Sequence, residues 1–146
     1  MKITIPTLNK YFPLLLIGGG GMVLFWMSLE DHSANNAAII GITSSFLLGL
    51  QSLLRRYGGQ SLAVRWLPLT GLLVGGVLGA ASALSTALLM FFKTAWHAHP
   101  YPDFPPQMIL AMLERLPVWG IAGGLAGLGL VLVGIAIRNN GIAARP

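Results

Sequence analysis

The chain has 146 residues, 55% of them hydrophobic and only 9% charged, with a formal charge of +5 and no cysteine. An ordinary soluble domain is about a quarter charged, so this composition excludes a water-facing surface over most of the chain and points to lipid as its solvent. The missing thiols exclude disulfides, thiolate nucleophiles, iron–sulfur clusters and thiolate zinc sites, and the length is that of one domain.

In chain order, the first apolar run is 11–29, YFPLLLIGGGGMVLFWMSL. Lys2 and Lys10 precede it as in a signal peptide, but no small-x-small cleavage site follows, so it reads as a retained anchor. The turn EDHSANN offers Ser33 or Asn35 as a helix cap, with His32 as ordinary turn chemistry, before a second run at 37–54. A third run, 66–92, would be about 40 Å long as a helix, which exceeds a hydrocarbon core of roughly 30 Å and requires tilt or projection into the headgroups.

The stretch WHAHPYPDFPP follows; the prolines from Pro100 on make its last part extended and stiff, with Asp103 positioned to help cap what comes next. Over 106–115, Met108, Ile109, Met112 and Leu113 share one helical face with Leu116, opposite Gln107, Ala111, Glu114 and Arg115. This pattern predicts a short amphipathic helix lying at an interface. The fourth apolar run is 116–137.

No run carries a charge in its interior, and none shows the alternation of a barrel strand. The expected fold is therefore all-α: a polytopic four-transmembrane-helix bundle in one membrane domain, with the amphipathic helix in the loop between spans three and four. Lys2, Lys10, Arg55, Arg56, Arg65, Arg138 and Arg145 fall on one side of these spans. Every acidic residue falls on the other, together with Lys93 and Arg115. Positive-inside reasoning puts both termini in the cytoplasm, and the expected location is a bacterial cytoplasmic membrane. The same distribution makes the +5 an orientation signal and argues against nucleic acid as a partner.

Small residues recur at four-residue spacing: Gly41, Ser45 and Gly49; Gly71, Gly75 and Gly79; and Gly120 with Gly124, interleaved with Gly123 and Gly127. Such stripes predict close helix packing, within the chain or against neighbouring subunits, or room for a bound lipid or pigment. Four consecutive glycines, Gly18 to Gly21, notch every face of the first span. Trp26, Trp66, Trp96 and Trp119 lie near span ends and are expected as interface anchors.

His97-Ala98-His99 is the sharpest chemical feature. In an extended chain both imidazoles would project to one side, and with Asp103, or with Asp31 and His32, they are weak candidates for a metal or porphyrin site. No intramembrane carboxylate, HExxH, GxSxG or P-loop appears. Ser82, Ser85 and Thr86 are expected to bond to backbone one turn back or across a helix contact. No cofactor is expected. The sequence thus predicts a non-catalytic accessory or assembly subunit of a membrane complex, partnered by the bilayer and by other subunits or by itself. The alternatives are a small pore or transporter lined by Gln51 and the Ser/Thr cluster, and a metal- or porphyrin-binding subunit.

Overall fold

Proline in the first turn starts four of the five helices, because its missing N–H is unneeded there and its φ is already helical. The computed structural model describes residues 2–97 and 100–143. It is mostly helical: α1 (Phe12–Ser28), α2 (Ala34–Tyr57), α3 (Leu67–His97), α4 (Pro106–Glu114) and α5 (Leu116–Ala143). Pro13, Pro68, Pro106 and Pro117 occupy the first turns of α1, α3, α4 and α5. The one helix without a proline start, α2, is capped by Ser33, whose side chain accepts from Asn36 N at 3.3 Å. Arg55 and Arg56 lie in its last turn, where cations complement the helix dipole.

The 31-residue α3 is the spine, antiparallel to α2 on one side and to α5 on the other. Its contact with α5 is backbone against backbone. A Cβ on Gly75 would collide with Gly123 O, and one on Gly79 with Trp119 O. A Cβ on Gly71 would lie 2.8 Å from Gly127 O. Against α2 the approach is also close: a Cβ on Gly41 would lie 2.8 Å from Thr86 N. Ser45 Oγ donates to Ser85 Oγ at 2.8 Å, tying α2 to α3. Ser82 and Thr86 hydroxyls donate to Leu78 O and Ser82 O, one turn back, at 2.7 and 2.8 Å. Hydroxyls so bonded leave no unmet polar group in an apolar contact.

The helices differ in reach. Those of α2, α3 and α5 are long and apolar enough to cross a membrane; α1, with 17 residues, is a shorter apolar helix of about 25 Å. Three helices therefore meet the length criterion where four were expected, because α1 stops at Ser28 after 17 residues; α3 runs on to His97, five residues past its expected end.

The helical fold also carries one short sheet that the apolar runs do not mark. β1 (Lys2–Thr4) pairs antiparallel with β2 (Ser61–Ala63), in register Lys2↔Ala63, Ile3↔Leu62 and Thr4↔Ser61. Ile5 N donates to Gln60 O and Gly59 N to Ile5 O, both at 2.9 Å. Gly59 adopts φ 81°, a left-handed turn that favours glycine. Three-residue strands so far apart in sequence show no readable alternation, so the pairing exists only in three dimensions. It places the N-terminal segment beside the connection from α2 to α3, with Arg55, Arg56 and Arg65. At the opposite end, Trp26, Ala37, Ala87, Met90, Phe104 and Met112 form the buried core.

Candidate functional site at the α4 end

Lys93 is the centre of this site. It lies on α3 at the end of a face that runs Gly79, Ala83, Thr86, Met90, Lys93 and His97, spaced by three or four residues. That face looks into the bundle, so the lysine is fully buried. Its Nζ donates to Trp26 O at 3.0 Å and to Leu29 O, and sits 4.5 Å from the centroid of the Trp26 ring. Trp26 and Leu29 belong to the end of α1 and its cap. Both carbonyls also accept a backbone bond, Trp26 O from Leu29 N at 3.1 Å and Leu29 O from Asp31 N at 2.9 Å, and the helix C-terminus carries about half a negative charge. The ammonium supplies donors and a counter-charge at that point, while the indole face adds cation–π attraction.

Asp31 fixes the indole from the other side. Its carboxylate accepts from Trp26 Nε1 at 2.7 Å, Asn36 Nδ2 at 2.8 Å and Ser33 N at 2.9 Å. The Asn36 bond first, then those from Trp26 and Ser33, hold its carboxyl below the usual value of 3.8, because each stabilises the charged form. Lys93 adds a smaller pull in the same direction.

A second carboxylate closes the loop after α3. Asp103 is buried and meets His97 Nδ1 with one oxygen, while its other oxygen lies 3.1 Å from Nε2 of the exposed His32. Phe104 N donates to Thr94 Oγ1 at 3.1 Å, clipping this loop back onto α3. The arrangement is a polar lock joining the end of α1, the α1–α2 turn, the end of α3 and the α3–α4 loop.

Several expectations are revised by this geometry. His97 is helical rather than extended; His99, the other half of the expected pair, lies outside the described residues. Asp103 does not cap α4, whose N-cap is Pro105 with no side-chain cap bond; it binds imidazoles instead. Among the described residues, no three His, Asp or Glu side chains converge on one metal position. Trp26 is inside the bundle, Trp119 packs partly against the core, and Trp66 and Trp96 are exposed at opposite ends of α3.

The packing residues Gly41, Gly49, Gly71, Gly75 and Gly79 all sit at close helix contacts, and Ser45 at the α2–α3 contact. On α5 the tightest positions are Gly123 and Gly127, with Gly120 and Gly124 on the looser flank. Face position was the available signal for Lys93, since it continues the small-residue stripe of α3. Its place at the end of an apolar run instead reads as a helix-terminal charge reaching for water.

Comparison with protein-family models, with curated proteins and with solved structures returned no match.

Proposed function

We propose that this chain is a non-catalytic, multi-pass membrane subunit that joins a larger assembly, or copies of itself, through α1. The observation that carries the reading is the state of the α1 glycines. The glycines on the α3–α5 seam meet neighbouring backbone, whereas Gly18, Gly20 and Gly21 have nothing within 4 Å. Leu14, Leu15, Ile17, Met22, Leu24 and Phe25 beside them are exposed. A device that joins two helices inside the chain is thus presented, unused, at its edge.

In this reading α1 is a fourth crossing, at the short end of the range for spanning helices. The arginine-rich sheet end faces the cytoplasm of a bacterial inner membrane, and α4 lies on the far surface. The hydroxyls of Ser82, Ser85 and Thr86 engage the chain's own atoms, which favours a packed bundle over a polar path.

Photo-cross-linking from residues 17 and 21, in membranes and after gentle detergent extraction, tests the proposal. Cross-links to a second membrane protein or to another copy are expected. A chain that cross-links only to lipid and migrates as a monomer would refute it.

A further inference from the structure

The α3–α5 seam is tight on one flank and loose on the other. On the tight flank, added Cβ atoms would collide with facing backbone at Gly75 and Gly79. On the loose flank, a Cβ on Gly76 would lie 3.5 Å from Gly120 O, and one on Gly120 would lie 3.6 Å from Gly76 O, both ordinary contacts. The space left where these two glycines lack side chains is an open groove of about 600 Å3, lined by Leu72, Gly76 and Ala80 of α3 and Pro117, Gly120 and Gly124 of α5. That volume is in the range of small-molecule sites, and its walls are almost wholly apolar.

One end of the groove, at Leu116 and Pro117, directly follows Glu114 and Arg115 in the chain. Both charged residues are exposed, and among the described residues neither forms an ion pair. They sit where α4, with Met112 buried and Ile109 and Leu113 packed on the core, meets α5. An apolar trough whose lining begins at Leu116, next in the chain after one anion and one cation, brings together the parts that a zwitterionic phospholipid needs: a place for a hydrocarbon tail, a phosphate and an ammonium.

We propose that the groove holds one acyl chain of a phosphatidylethanolamine, with its phosphate on Arg115 and its ammonium on Glu114. An anionic lipid without the ammonium would meet the Glu114 carboxylate unfavourably. The site rests on the membrane reading above, because α4 must lie at headgroup depth.

The test is native mass spectrometry of the full chain, delipidated in mild detergent and offered phosphatidylethanolamine or phosphatidylglycerol at equal concentration. One phosphatidylethanolamine adduct per chain should survive activation and exceed phosphatidylglycerol retention. Arg115→Gln, a surface change that leaves the helix contacts intact, should lower retention by roughly tenfold, the order expected for one charge-assisted hydrogen bond. Gly76→Leu, which fills the trough, should abolish it. Equal retention of the two lipids, no adduct with either, or an adduct indifferent to both substitutions would overturn the proposal. So would a dimer mass in place of the adduct, which would make a second copy the occupant. Failure of the membrane reading looks different: the chain would stay in solution without detergent.

Discussion

Two glycine-rich regions of this molecule behave in opposite ways. Between α3 and α5 the glycines are consumed by contact: Gly71, Gly75 and Gly79 face Gly123, Gly127 and Trp119 at separations that leave no room for a methyl group. In α1 a Cβ on Gly19 would meet Leu47 of α2 at 3.6 Å, whereas nothing lies within 4 Å of one on Gly18, Gly20 or Gly21. At one end Phe12 is buried; at the other Trp26 is buried and Lys93 caps the last carbonyls. Glycine content alone therefore does not say where a helix packs. What distinguishes the regions is whether another part of the chain lies against the glycines.

The contrast can be broken most directly at the seam. Gly79→Leu should destabilise the bundle by about 3 kcal/mol or more, because the obstructing atoms are backbone and cannot rotate aside. Denaturant titration of the detergent-solubilised chain, followed by circular dichroism, measures this; an unchanged midpoint would mean that α3 and α5 are not in backbone contact.

At the α1 end the expected effect is smaller and local. Lys93→Met keeps an unbranched side chain, one atom shorter, but leaves Trp26 O and Leu29 O without their charged donor, for about 2 kcal/mol. Hydrogen exchange should quicken across α1 while the α3–α5 seam stays protected. Equal acceleration in both would show that α1 is not held by this lysine.

Acid should loosen the same end. The carboxyl of Asp31 is depressed in the folded chain, so its contribution is fully present above the ordinary value of 3.8 and is lost as pH falls through the lower folded value. Exchange of α1 amides should therefore rise below about pH 4, and Asp31→Asn should flatten that part of the profile. Persistence of the acid response in Asp31→Asn would assign it to another group.

The smallest effect on the fold belongs to Gly20→Leu, expected within about 0.5 kcal/mol of the parent chain because nothing lies within 4 Å of its added carbon. By contrast, cross-linking from α1 to neighbouring subunits should fall sharply. Loss of monomer stability instead would place α1 inside the bundle.

Much of the helical architecture is legible in the residues themselves. Continuous apolar runs, prolines at the first turns and Ser33 before α2 locate the helices to within a few residues, because these signals act locally. The amphipathic pattern of 106–115 likewise marks α4: its apolar face carries the buried Met112, and its polar face the exposed Glu114 and Arg115. The stripes of small residues name the close contacts on α3, since four-residue spacing alone puts them on one face.

The candidate site was far less visible. Lys93, at the edge of an apolar run, has the appearance of a solvated terminus, and Asp103 that of a cap. Only the packing of α1 against α3 turns the lysine inward, and only the return of the 100–105 loop brings Asp103 between His97 and His32.

Sequence by itself determined that the polypeptide is helical and apolar and which helix faces are smooth, because side-chain periodicity and solvent preference are properties of neighbouring residues. Tertiary structure alone decided that residues 2–4 pair with residues 61–63, that a buried ammonium caps a helix nearly seventy residues away in the chain, and that one glycine stripe is filled while another stands open. Each of those depends on where distant segments meet, and no local pattern records that.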